Sequence, residues 1–424
     1  MPPPDDRVLV VGGGVAGLVI ARRLALAGRA VSVLEATDRL GGTLAPTTLA
    51  GSELDAGAES FATRGGGVAT LLAELGLDGD VVAPEPATAW VQRARGGAVP
   101  LPASGLLGIP ADLRDVDVVN ALGAQGTARA QRDESLGPEV GADAVTLGEL
   151  VVARMGEAVL ERLVAPVVRG VYSREAHELT VEEASSTLRS ALAEHGTLAA
   201  AVRSVRDAAP AGALVAGIRG GMFRLAASLV AECERLGVEL ETGATVDAVA
   251  PDSLIVTGTR RAGEVVLTAS RPGAAPGRAV TLVTLVLEAA ELDDAPRGSG
   301  LLVASGSVVL ARALTHLTAK WRWVADALPG RHAVRLSYDA PPTDPVAAAR
   351  ADASVLFGLD LPEPLEATVR TWTRPAPDVL GFAGPHAGEA VAGTGLASVI
   401  PHAERVAQTL IDSRLDPGRE RMTP

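Results

Sequence analysis

The stretch from Val8 to Ala36, VLVVGGGVAGLVIARRLALAGRAVSVLEA, constrains this chain more than any other. An apolar run, Val8 to Val11, enters Gly12-x-Gly14-x-x-Gly17, with Val15 and Ala16 in the same turn. An Ala- and Leu-rich helical segment follows, then an apolar strand from Ala30 to Leu34, and Glu35. Gly12 permits a tight turn, Gly14 lets the backbone approach a pyrophosphate, and Gly17 lets helix pack on strand. The helix N-terminus adds free N–H groups and a positive dipole end. Glu35 stands 23 residues after Gly12, where a carboxylate that hydrogen-bonds a ribose hydroxyl belongs. A glycine triplet alone is weak; with both strands and the acid it specifies an ADP-containing dinucleotide.

The next residues separate flavin from nicotinamide. Ala36 is followed closely by Asp38-Arg39-Leu40-Gly41-Gly42-Thr43-Leu44, a pattern that resembles the two-domain flavoprotein oxidases. Paired glycines let a second loop, Gly41-Gly42, lie against the pyrophosphate, and Arg39 offsets its charge. Thr43 departs from that pattern, because the position is usually basic.

A chain of 424 residues, 47% hydrophobic, has ample material for a core and a length that suggests two or three domains. Net charge −13 without a basic cluster argues against nucleic acid. The opening MPPPDDR does not read as a signal peptide. No apolar run reaches the roughly 20 residues needed to span a bilayer. The single Cys233 excludes an intramolecular disulfide and reads as structural. His177, His195, His316, His332, His386 and His402 show no metal-ligand spacing, and no Gly-x-Ser-x-Gly elbow supports hydrolysis. Lys320 is the only lysine in a chain rich in Ala, Gly, Val and Arg, as in a high-GC genome.

The resemblance to the two-domain flavoprotein oxidases implies an α/β fold: a Rossmann-like FAD-binding domain built from three chain segments, with a substrate domain containing a mixed sheet and a helical lobe. The expected division is 1–88, 206–270 and 375–424 for the FAD domain, 89–205 for the helical lobe and 271–374 for the substrate-domain sheet. Residues 112–206 carry helical spacing, with Thr146 as an N-cap and a loop over Gly126 to Asp143. Leu301 to Ser337 reads as sheet. In the FAD domain, Gly57-Ala58 reads as a small-residue turn beside the flavin. The same resemblance implies that the backbone at Val246 meets adenine, and Gly393-Thr394-Gly395-Leu396 is expected to open a helix whose N–H groups aim at the flavin ring and ribityl chain.

LDAGAESFATR, LPASGLLGIPADL, GELVVARMGEAVLERLVAPVVRGVY, GIRGGMFRLAASL, RGSGLLV, LTHLTAKW and AVRLSYD complete a resemblance to the flavin-dependent protoporphyrinogen/coproporphyrinogen oxidases of actinobacterial type. Pro166 to Tyr172 and Lys320-Trp321 discriminate this branch from amine oxidases and desaturases. The resemblance implies FAD as cofactor, a porphyrinogen and O2 as partners, and loss of six electrons and six protons in three turnovers that yield H2O2. It implies a cytoplasmic haem-biosynthesis enzyme, coproporphyrinogen III being favoured over protoporphyrinogen IX, with peripheral membrane contact open. Lys320 either holds water near flavin N5 for oxygen reduction or is an exposed strand residue. Arg64, Arg169 and Arg335 are rim candidates for propionates; Phe61, Tyr172 and Trp321 are candidates for a flat apolar wall, or core. Only 20 residues separate Trp372 from Gly393, shorter than in relatives. An amine-oxidase- or desaturase-like enzyme and a flavin-binding paralogue without turnover remain alternatives.

Overall fold

A computed structural model describes residues 7–172, 174–208, 215–275, 277–376 and 382–415. The chain divides into two compact units: residues 1–84, 213–280 and 370–424 form one, and 85–212 with 281–369 the other.

The first unit is built on a parallel sheet. β1 (Val8–Val11) lies between β2 (Val31–Leu34) and the strand Glu264–Leu267, with Glu239–Glu241 outside β2. All residues of β1 and β2 are buried, as expected for strands covered on both faces. α1 (Val15–Leu26) buries nine residues, from Val15 to Leu24. It packs in one core with the helices Phe223–Arg235 and Leu396–Leu415. Cys233 lies inside that core with its thiol 3.5 Å from the Leu18 carbonyl, and burial pushes the thiol pKa up to about 12. It is therefore inert packing.

The second unit carries a seven-stranded sheet in the order Glu366–Arg374, Arg278–Leu287, His332–Tyr338, Ala313–His316, Gly300–Val303, Ala89–Gln92, Ala98–Pro100. Gly300–Val303 and Ala89–Gln92 are parallel, so the sheet is mixed. The boundaries between the units fall within two of these strands. A helical lobe, from Val116–Gln131 to Leu198–Asp207, has its own core around Leu150, Leu163 and Leu198. Thr146 caps the helix Leu147–Arg154 in a full capping box with Glu149, which satisfies first-turn N–H groups.

Two expectations fail here. Residues 126–131 are not loop: they complete the helix Val116–Gln131, followed by a 3-10 turn, Arg132–Ser135. The cause is tertiary. Gly126, Thr127 and Ala130 are buried, and Asp133, fully buried, accepts from Arg154 Nε at 2.6 Å and from the Ala199 N–H. Arg154 also donates to the carbonyls of Gly137 and Gly196. Leu301 to Ser337 is not continuous sheet either: the short helices Leu317–Lys320 and Arg322–Ala327 interrupt it. Burial of Trp321, 1% exposed, draws the chain into this turn, with its N–H bonded to the Leu317 carbonyl.

Candidate active site

The first unit gathers the dinucleotide elements at the carboxyl end of its parallel sheet. Gly12 turns with φ +108°, which favours glycine. Gly17 presses against β1 so closely that a β-carbon there would stand 2.0 Å from the Gly12 carbonyl oxygen. Gly14 is different. A β-carbon there would meet nothing within 4 Å, and α1 begins at Gly14 without a side-chain cap. The first-turn N–H groups of α1 have no intrahelical partner, and a helix N-terminus of this kind suits an anion.

Glu35 sits at the end of β2, partly exposed. Its Oε2 accepts from the Gly13 N–H at 2.8 Å, and its Oε1 from the Thr37 N–H at 2.9 Å and the Thr37 hydroxyl at 2.8 Å. These bonds orient the carboxylate and leave lone pairs for hydroxyl donors. The Glu35 carbonyl accepts from Ala244 N–H, and that of Thr37 from Gly243 N–H. Val246 thus starts its strand two residues beyond the acidic corner, and Ala36 stands exposed beside it.

The Gly41 N–H donates to the Gly13 carbonyl at 2.8 Å, tying the second loop to the first. A β-carbon on Gly42 would lie 3.2 Å from the Gly14 α-carbon. Arg39 donates to the carbonyls of Leu40 and Gly42, with its guanidinium carbon 5.8 Å from the Trp372 ring centroid. Gly57 is buried where a side chain would strike the Thr43 carbonyl oxygen at 2.2 Å and Trp372 at 3.4 Å; Ala58, next to it, is exposed. Gly393 and Gly395, both with positive φ and open space at the β-carbon, flank Thr394 and precede the helix from Leu396.

Sequence reasoning did not assign Trp372 a role. Its Nε1 is buried without a hydrogen-bond acceptor among the described residues, a costly state for an indole N–H in a finished site. This orphaned donor beside Gly57 and Arg39, together with the bare Gly14 and Gly395, fits a cofactor that brings its own acceptors. The only sequence hint was that tryptophan is scarce, with four in the chain. Thr268 was missed too: its hydroxyl lies 2.9 Å from both the Val11 and Gly12 carbonyl oxygens and steadies the turn.

Phe61 is 5% exposed and belongs to the core under α1. Arg64 is exposed, with one contact to the Ser398 hydroxyl at 3.3 Å. In the second unit, Arg169 makes a bidentate pair with Glu175 and also donates to the Ser305 hydroxyl. Arg335 is not a rim residue. It is 5% exposed and donates from Nε to Thr284, its cross-strand neighbour, because its strand is covered by the sheet's packing. Tyr172 is half-buried against the helical core, and Trp321 is fully inside. Lys320 ends a four-residue helix rather than lying in a strand, with Nζ 5.3 Å from the Trp321 ring centroid.

His316 is buried next to His332, with Nε2 3.1 Å from His332 Nδ1, while His332 Nε2 meets Asp293 at 3.0 Å. Burial, then the neighbouring imidazole, pull the His316 pKa down to about 4. Among the described residues no cluster of His, Cys, Asp or Glu suits a metal, and no helix is long and apolar enough to cross a membrane.

A Rossmann-like unit with a double glycine loop, joined to a sheet-and-helix unit, defines an FAD-dependent oxidoreductase. Residues 15–304 match the family described as flavin containing amine oxidoreductase, and the chain belongs to that family. It is 31% identical over 398 residues to the coproporphyrinogen III oxidase of Mycobacterium leprae, covering 86% of each chain. Identity to the enzyme of the same name from Mycobacterium bovis is 30%, over 87% of this chain and 86% of that one. A solved structure from Exiguobacterium sp. 255-15, provisionally named a protoporphyrinogen oxidase, superposes with TM-score 0.80 at 21% identity. It covers 96% of this chain and 99% of its own, and supports the fold.

Proposed function

We propose that this protein oxidises coproporphyrinogen III to coproporphyrin III in haem biosynthesis, in the cytoplasm, with O2 as electron acceptor. The observation that carries the reading is the likeness to coproporphyrinogen III oxidases over 86% of both chains, which takes in the helical lobe and the sheet as well as the nucleotide unit. Each macrocycle gives up six electrons and six protons, and three O2 become three H2O2. Bound FAD supplies two-electron acceptance, and the protein supplies orientation and exclusion of water.

The chain's own groups have simple tasks. Glu35 holds a ribose hydroxyl, and the first turn of α1 holds the diphosphate. Arg64, exposed and lightly tethered, is the arginine best able to receive a substrate carboxylate, since Arg169 already has Glu175. Lys320 supplies a fixed positive charge that favours oxygen reduction. This scheme requires no strong protein base.

The test is anaerobic mixing of the purified flavoprotein with coproporphyrinogen III, protoporphyrinogen IX or a simple amine, followed by air. Flavin bleaching fastest with coproporphyrinogen III, then porphyrin fluorescence and about three H2O2 per macrocycle, is the expected result. Bleaching by the amine alone would refute the reading and favour amine oxidation.

A further inference from the structure

A cofactor diphosphate carries two negative charges, and the glycine loops beside it supply only one cation. Arg39 is that cation; Gly41, Gly42 and Thr43 are uncharged. The strand Glu366–Arg374 passes the same place. Trp372, in that strand, lies under the Arg39 guanidinium and against Gly57, whose other close neighbour is the Thr43 carbonyl. Side chains alternate along a strand, so Arg370 and Arg374 share the face of Trp372.

The two flanking arginines differ. Arg374 has an anionic neighbour, Glu389, at 3.5 Å. Arg370 is exposed and has no carboxylate within ion-pair distance among the described residues. Burial pulls the Arg39 guanidinium below its ordinary value; Asp38 and Glu35 oppose that, and Arg370 adds to it. Arg370 thus adds positive potential at Arg39, which an anion bound beside them would offset.

We propose that Arg370 is a diphosphate-binding residue which, with Arg39 across the Trp372 indole, supplies the second positive charge that the Gly41-Gly42-Thr43 loop lacks. The inference rests on the placement of FAD at the Gly14 cradle. It makes the strand Glu366–Arg374 part of the cofactor site, although nearly the whole chain separates it from the glycine motif. A guanidinium suits the role because it engages two phosphate oxygens at once. Exposure of Arg370 makes its contribution sensitive to salt.

The experiment measures FAD release from the holoenzyme, followed by the rise of free-flavin fluorescence on dilution, for wild type, Arg370→Gln, Arg370→Lys and Gly14→Val. Arg370→Gln is expected to release FAD roughly tenfold faster at low salt, with the gap closing at high salt, and Arg370→Lys to fall between. Melting of the flavin-free forms should nearly coincide, since Arg370 is exposed and surface substitutions shift stability little. Release from Arg370→Gln equal to wild type would overturn the proposal. If that equality came with a raised KM for the tetracarboxylate substrate, the anion served would be a carboxylate. If Gly14→Val also kept its FAD, the placement of the dinucleotide itself would fall, which separates the two failures.

Discussion

Replacing Gly14 by valine is expected to strip the protein of FAD while leaving its fold intact, whereas Gly17→Ala should damage the fold first. The contrast comes from where each β-carbon would point. Gly14 has φ −74° and ψ −178°, a conformation open to any residue, and its β-carbon meets nothing of the protein within 4 Å. The cost to the fold is that of losing a tolerated glycine N-cap, about 1 kcal/mol or less. The cost to the cofactor is larger. Bulk at that point lifts a diphosphate off the first-turn N–H groups, and losing two bonds to a charged group weakens FAD by roughly a hundred- to ten-thousandfold. At Gly17 the β-carbon would stand 2.0 Å from the Gly12 carbonyl oxygen and 3.0 Å from the Thr268 hydroxyl. Helix and strand must then part, at about 3 kcal/mol. Flavin-to-protein ratio by absorbance and melting of the flavin-free proteins separate the two effects. Full flavin occupancy in Gly14→Val, or wild-type melting of flavin-free Gly17→Ala, would refute the reasoning.

Two further outcomes are expected. His316, held to about 4 in the fold against about 6.5 when unfolded, leaves the unfolded chain binding the extra proton between those values. Its stabilising effect is whole above about pH 6.5 and lost as pH falls toward about 4, by about 2 kcal/mol between pH 7 and pH 5 relative to His316→Gln. Urea titrations of both proteins at the two pH values check this, and parallel pH dependence would contradict it. Lys320→Met should slow oxygen-dependent turnover by roughly 10- to 1,000-fold while leaving anaerobic reduction by substrate within about twofold. Stopped-flow traces showing equal oxygen reactivity would leave Lys320 as a neighbour of Trp321 and nothing more.

The nucleotide unit was legible because its information is local. A strand was expected at Ala30 to Leu34 and stands at Val31–Leu34; the helix Val15–Leu26 precedes it and Glu35 follows it directly. Thr146 was legible for the same reason, since a capping box closes within four residues. Where the deciding contact is remote, the reading failed. Gly126 and the polar residues after it suggest loop until Asp133 finds Arg154, 21 positions away. Arg335 resembles a free surface arginine until the neighbouring strand brings Thr284 to its Nε.

The segment before Gly393 is tied to the first glycine loop largely through its backbone. The segment reaching His386 runs alongside the end of the strand Glu264–Leu267: the Leu267 N–H donates to the Pro385 carbonyl, and the Ala387 N–H to the Leu267 carbonyl. Gly388 follows at φ +93°, where a β-carbon would stand 2.6 Å from the Thr268 carbonyl oxygen. Thr268 is the residue whose hydroxyl steadies the Gly12 turn. From Phe382 onward the chain therefore runs beside the first glycine loop and leads through Gly393 and Gly395 into the helix Leu396–Leu415. Main-chain bonds and Gly388 thus tie this segment to the turn at Gly12. Substrate recognition depends on side chains that no such backbone spacing encodes.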